Sequence, residues 1–203
     1  MALASLRTFL LAFTDHRPAD AELVTMCGEA ITEQTGRADL PEAAVALWHM
    51  VDGEPSPALF PMLRLMQAAC PTWGTDDLDP WLRILDELRL LGPSEALDQL
   101  EGEPLKEADP SWLPIADGDG NAAYLDDGRL IVWNGEPWDD PLGRGRADVV
   151  LDDLGEALAE LDAAIAAGRF VPRSFGVDGW DSEASITTDD GFQYDFEWAA
   201  AGD

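Results

Sequence analysis

An α+β fold, with a mixed and mostly antiparallel sheet flanked by helices, follows from three features of the sequence. Helical periodicity dominates the first hundred residues. Short β-like runs separated by Asp-Gly steps take over after residue 110, and one further helical repeat precedes a strictly alternating tail. The 203 residues are read as one domain, 1–203, with an N-terminal helical extension over 1–30 and an acidic β-hairpin tail over 171–203. A chain of this size buries about 70% of the surface its unfolded form exposes, enough for a self-supporting core.

Each element has its own signal. Leu3, Leu6, Leu10 and Phe13 recur at helical spacing and predict a first helix ending before Pro18. Asp20 caps a second helix through Leu23, Val24, Cys27 and Ile31, with Gly36 at C′. Pro41 suits the first position of a third, which carries Val45, Trp48 and Val51 and stops at Asp52-Gly53. Beyond Pro55, Pro57 and Pro61, the stretch Leu59–Met66 is ambiguous between strand and helix. Asp79-Pro80 opens a helix through Trp81, Ile84, Leu85 and Leu88, and Ser94–Leu100 adds a turn or two. Strands are expected at Trp112–Ala116, Ala122–Leu125 and Arg129–Trp133, the last two joined by an Asp127-Gly128 hairpin turn. The Gly- and Pro-rich stretch Asn134–Arg146 reads as an insertion, and Val149–Leu151 as a short strand. Asp152 or Asp153 caps a helix through Leu154, Leu158, Leu161 and Ile165, closed by Gly168. In the tail, Phe192, Tyr194, Phe196 and Trp198 alternate with Gln193, Asp195 and Glu197 behind Asp189-Asp190-Gly191, the pattern of a hairpin with one aromatic and one acidic face.

Charge narrows the functional classes. Forty-one Asp and Glu stand against 12 Lys and Arg, a formal charge of −29. Disorder is excluded by 46% apolar residues with 8 Trp and 7 Phe. Nucleic acid needs clustered Lys and Arg, as do anionic membranes, so neither is an expected partner. Residues 111–203 hold 21 acids and 5 bases, so the excess concentrates on the strand-rich part. Cys27 and Cys70 lack disulfide-framework or zinc spacing and read as reduced core thiols. The apolar start, residues 1–13, is interrupted by Arg7 and reads as an amphipathic helix rather than a signal peptide, so a cytoplasmic location is expected.

Chemistry-bearing motifs are scarce. His16 and His49 are isolated, and no nucleophile elbow, phosphate loop, zincin or dinucleotide fingerprint occurs. Asp117-Gly118-Asp119-Gly120-Asn121 opens like a calcium loop, but Ala122 stands where the loop needs Gly and Gly128 where it needs a bidentate Glu. It reads as a turn between strands. Acid pairs such as Asp76-Asp77 and Asp152-Asp153 arise by chance at this composition. No catalytic residue, metal or cofactor is expected, and the chain is not read as an enzyme.

One combination of blocks carries a resemblance. Ile31–Gly36, including Glu33, is followed by Leu40-Pro41 and a helix through Trp48 to Gly53. Then come Trp112-Leu113-Pro114-Ile115-Ala116-Asp117, a turn over Gly118–Asn121, Ala123–Asp126, Gly128–Trp133, and a capped helix ending Ala-Gly-Arg-Phe at Phe170. In order and spacing these resemble the SUKH superfamily, the Smi/Knr-like group of fungal cell-wall regulators and bacterial immunity proteins, over about residues 31–170. The matched residues have structural uses: Gly36 and Gly53 end helices, Leu40 and Trp48 bury a helix face, Trp112 and Pro114 enter a sheet. The resemblance implies a non-catalytic binding function and, in bacteria, neutralisation of a toxin, commonly a nuclease.

Two functional expectations follow. The first is an immunity protein that occludes a basic nuclease-type toxin, since an acidic binder competes for the surface a nuclease offers its substrate. Candidate contacts pair acids with aromatics: Asp139 and Asp140 beside Trp138, Asp181 beside Trp180, and Asp195 with Glu197 on the tail strand. The alternative is a regulatory scaffold of the Smi/Knr type with no toxin partner, whose tail hairpin docks or forms a homodimer through an aromatic edge strand.

Overall fold

The fold was obtained as a computed structural model, which describes residues 3–11, 17–50, 52–53, 88–102, 108–118, 120–135, 146–175, 185–187 and 193–198. Five helices and eight strands are found there, in the order α1 (Ala4–Leu11), α2 (Ala21–Thr35), α3 (Glu42–Trp48), β1 (Arg89–Leu90), α4 (Pro93–Glu101), β2 (Leu113–Gly118), β3 (Asn121–Asp126), β4 (Arg129–Asn134), β5 (Arg146–Leu151), α5 (Leu154–Ala166), β6 (Phe170–Phe175), β7 (Ser185–Thr187) and β8 (Gln193–Trp198). The class is α+β, as the sequence predicts. Every strand pairing among the described residues is antiparallel.

Helix ends are fixed by the residues that the sequence offers for it. Asp20 Oδ1 accepts the Glu22 amide at 2.8 Å, and Gly36 closes α2 in the left-handed region at φ 70°. Of the two candidate caps for α5, Asp153 is the one used, its Oδ1 accepting the Glu156 amide at 3.0 Å. Gly168, at φ 68°, ends that helix while the Arg169 amide returns to the Ala164 carbonyl, a Schellman closure. The first turn of α1 has no residue of its own to cap it. Asp162 of α5 supplies the acceptor instead, taking the Leu6 amide at 2.8 Å.

Five strands form the main sheet in the order β1-β2-β3-β4-β5. On one face Leu113, Ile115, Ala123, Leu125, Leu130 and Val132 are buried in the same cluster as Leu6, Ile31, Trp48, Leu158 and Leu161 of the helices. The other face is also apolar at its centre: Ala122, Tyr124, Ile131 and Trp133 are buried, with Ala108 and Trp112 packed on them. Burial on two faces explains why β3 and β4 read as continuous apolar runs rather than alternating ones. A shift in register between Pro114 and Ala116 keeps Ile115 and Ala116 both with the helical core.

Several expectations change. Leu88 does not end a helix: it is buried immediately before β1, whose two residues are too few to show a period. Pro41 lies just outside α3 with an extended ψ of 130°, because the helix starts one residue later at Glu42. That helix stops at Trp48, so Gly53 terminates nothing; its positive φ of 74° serves a close approach to Gly92 and Glu95. Strand β5 starts at Arg146 rather than Val149, paired with Asn134. The tail hairpin exists but gains a strand, since β6 pairs with β8 to give a sheet ordered β6-β8-β7. The Leu59–Met66 stretch, the helix start at Asp79-Pro80, Phe13, His16, Val51, Cys70, Asp119 and the turn at Asp189–Gly191 lie outside the described residues.

Gly135 is a constraint the sequence does not advertise. A Cβ there would meet the Gly120 carbonyl oxygen and stand 2.5 Å from the Trp133 ring. Backbone and a buried indole cannot both yield, so Gly135→Ala is expected to cost about 1–3 kcal/mol. Chemical denaturation would measure it, and a neutral result would show that the β4 end relaxes freely.

Candidate functional site

The described surface is organised around one arginine. Arg37 follows the glycine that ends α2, and the turn of the chain there aims it at the β3–β4 hairpin. Its Nε donates to the Ser111 carbonyl at 2.7 Å and its Nη2 to the Leu125 carbonyl at 3.2 Å. Nη1 bonds Asp127 at 3.2 Å, and Asp126 lies 3.6 Å away. Only 10% of the side chain is exposed, so its charge is largely consumed within the fold. It lines one of two grooves, and Ser111, whose carbonyl it holds, stands between two residues of the other.

The first groove, of about 760 Å³, runs between the α2–α3 connection, the hairpin turn and the start of α5. Asp39, Glu42, Asp127, Asp153 and Glu156 line it, with Leu40 and Pro41 as apolar wall. Some of these acids have local duties. Asp153 caps α5, and Glu42 and Glu156 sit in first helical turns where the macrodipole favours them. Among the described residues Arg37 is the one base on this lining, and it is engaged as above.

The second groove, of about 840 Å³, lies against the β2–β3 face of the sheet. Trp112 and Tyr124 form its aromatic wall, with ring centroids 5.9 Å apart and planes tilted by 47°. Pro114, Ala122 and Leu100 add apolar surface. Its polar rim is a chain of bonds: Arg89 holds Glu95 at 2.6 Å and Asp117 at 3.1 Å, and the Gln99 amide reaches the other Asp117 oxygen at 2.6 Å. The Glu95 hydrogen bond chiefly holds the Arg89 guanidinium above its usual range. Exposed Asp109 also lines the groove. Both the hydroxyl and the amide of Ser111 donate to its Oδ1, holding the carboxyl below its usual range.

Burial, with Asp117 nearby, pushes the Tyr124 phenol up to about 12. The sign follows directly. Unfolded, the phenol titrates near its ordinary value of about 10. Between pH 10 and 12 the unfolded chain therefore releases a proton that the folded chain retains, and stability falls as pH rises. Tyr124→Phe is expected to remove that alkaline loss and the late phenolate absorbance step. If the two proteins lose stability in parallel across this window, the assignment to Tyr124 fails.

Among the described lining residues neither groove pairs a nucleophile with a base. Among the described residues no cluster of three or more His, Cys, Asp or Glu is placed to hold a metal ion. No described helix is long and apolar enough to cross a membrane. No family model matches the chain, and no curated protein does.

The residues singled out in the sequence distribute unevenly over these features. Trp112, Pro114, Asp117, Gly118 and Asn121 come together on the second groove. Leu40 and Pro41 line the first, and Gly36 closes the helix before it. Glu33 is exposed on α2, while Trp48 is buried and donates to the Leu91 carbonyl at 3.0 Å. Trp138, Asp139, Asp140, Trp180 and Asp181 lie outside the described residues. Asp195 and Glu197 fall at alternate positions of β8, opposite Arg173 and Val171 of β6. Because β8 is the middle strand of its sheet, the aromatic strand is not an edge; β6 and β7 are. The premise of a homodimer through that edge is therefore corrected. Sequence reasoning missed Arg37, Arg89 and Gln99, which act through partners 6 to 90 positions away, and Asp109, which Ser111 holds from two positions on. For the two arginines the one available signal was scarcity, since the chain has only 12 Lys and Arg.

Proposed function

We propose that this chain is a non-catalytic, cytoplasmic protein-binding domain of the SUKH immunity type, which neutralises a basic, nuclease-type toxin. The observation that carries the reading is the first groove. Five carboxylates line a concave surface on which the one base among the described residues, Arg37, is tied down by two carbonyls and two aspartates. Among the described residues the groove's lining is predominantly acidic, so a cationic partner meets there an attractive field, within a chain of net charge −29. Concavity, apolar Leu40 and Pro41 on the wall and a charged rim suit a protein surface better than a small substrate. The SUKH-like order of blocks supports the same reading.

Co-expression with the toxin encoded beside it tests this directly. The expected result is protection and a stable complex whose association rate falls steeply with added salt. Asp39→Lys combined with Glu156→Lys should slow association by roughly tenfold or more at low salt while leaving the fold intact. A chain that neither protects nor binds refutes the proposal, and the scaffold reading then takes its place.

A further inference from the structure

We propose that the outer edge of β5 is a docking edge, at which an extended segment of a cationic partner protein adds to the main sheet as a further strand. The choice of a cationic partner rests on the reading of the chain as a binder of a basic protein. The edge itself is carried by backbone geometry.

β5 ends the strand order of its sheet, so no described strand lies beyond it. Which of its backbone groups face outward follows from the β3–β4 turn. Asp126 and Arg129 flank that two-residue turn and close it, the position at which the ladder exchanges hydrogen bonds. Such positions alternate along an antiparallel pair, so Ile131 and Trp133 also turn their N–H and C=O toward β3. Gly135 keeps this phase, its amide donating to the Asn121 side chain of β3. Val132 and Asn134 therefore turn theirs toward β5, where their partners Asp148 and Arg146 face inward. Ala147 and Val149 are left pointing N–H and C=O away from the sheet. Both residues are exposed, and among the described residues no hydrogen bond engages those groups. Two donors and two acceptors thus recur at about 6.6–6.8 Å, the repeat of another β-strand.

This edge is lightly protected. It carries no proline, and its charged residues Arg146 and Asp148 pair with each other at 2.7 Å. The register shift that leaves Val150 without a partner in β4 comes only beyond Val149.

Side chains narrow the occupant. Tyr124, Ile131 and Val149 lie in one row across β3, β4 and β5. The first two are buried, whereas Val149 is 39% exposed, so the row stops on an apolar residue that nothing completes among the described strands. A β-branched residue opposite Val149 would extend it, and a basic one opposite Asp148 suits the other face. A second copy of the chain is the rival occupant of any free edge, but two bodies of formal charge −29 repel. The same charge draws a cationic segment that alternates apolar and basic residues.

The test uses the full chain with nitrogen-15 label and the peptide acetyl-Lys-Val-Lys-Val-Lys-amide. Its control is the same peptide methylated on both valine nitrogens, which keeps charge and side chains but removes the donors that face the edge. In the free chain the Ala147 and Val149 amides should exchange readily with solvent while that of Asp148 is protected. The peptide should slow exchange at Ala147 and Val149 and bind about tenfold more tightly than its methylated control. Ala147→Pro removes one outward donor and no bond to β4, so it should keep the fold and weaken the peptide by about threefold to tenfold. Equal binding of the two peptides by wild type, or an Ala147 amide already protected in the free chain, overturns the inference. So does a wild-type dimer on light scattering that Ala147→Pro converts to monomer, which gives the edge to a second copy. A toxin bound equally by wild type and Ala147→Pro overturns it as well and leaves the immunity reading standing. Selective pairing of the unmethylated peptide without any toxin binding supports the edge and removes the immunity reading alone.

Discussion

Truncating Trp48 to alanine is expected to lower the unfolding free energy by about 3–5 kcal/mol, the range for deleting a large buried aromatic. Trp48 is 1% exposed and joins three parts of the fold. Its ring is buried with the helices and the sheet, its Nε1 donates to the Leu91 carbonyl beside β1, and its own carbonyl accepts the Ala19 amide just before α2. Alanine would leave both a cavity and an orphaned carbonyl at the sheet edge. Trp48→Phe separates the two contributions: most of the volume stays, the hydrogen bond goes, and about 1–2 kcal/mol should be lost. Urea unfolding of the three proteins measures both. Since small domains hold only about 5–15 kcal/mol in all, the alanine variant should also show raised hydrogen exchange through α3 and β1. A loss below about 1 kcal/mol would mean that the pocket collapses around the missing ring, contrary to the packing seen.

The same residue shows how far sequence alone reaches. Trp48 stands at helical spacing from Val45 and is legibly core, but nothing in the sequence says that its indole bonds a residue 43 positions on. Local signals were readable wherever one residue type decides one local geometry. Asp20 and Asp153 as caps, and Gly36 and Gly168 as left-handed closures, all hold. Asp127-Gly128 likewise makes the hairpin turn, although Asp127 rather than the glycine takes the positive φ, at 57°. Strand β1 was invisible because two residues have no period, and its existence depends on pairing with Asp117 and Ala116. The second groove was half visible. Trp112, Pro114, Asp117, Gly118 and Asn121 stood out together, but as fold-building positions. What makes them a site is Arg89 and Gln99, brought from β1 and α4 by tertiary packing. An acid-rich sequence also conceals its own sites, because carboxylates that matter look like all the others.

Arg37→Ala is expected to cost about 2–4 kcal/mol and, unlike most substitutions of a surface-type residue, to disturb both grooves at once. The side chain serves two carbonyl oxygens, at Ser111 and Leu125, and it faces Asp126 and Asp127. The Asp127 pair contributes little, because that carboxylate is 95% exposed and well solvated. Asp126 keeps Arg129 as a partner. The loss therefore comes mainly from the two hydrogen bonds to part-buried carbonyls, and from an apolar stem no longer packed. Arg37→Lys should recover only a minor share, since an ammonium cannot meet both oxygens in the geometry that a planar fork spans. Full recovery by lysine would show that charge rather than the fork holds the hairpin. Because Ser111 lies between Pro110 and Trp112 of the second groove, and Arg37 itself lines the first, releasing this anchor frees the wall common to both. Hydrogen exchange should then rise at Ser111–Leu113 and at the β3–β4 turn while α1 and its contact with α5 stay protected. A uniform loss of protection would instead place Arg37 in the global core, and a loss confined to α2 would detach it from the grooves altogether.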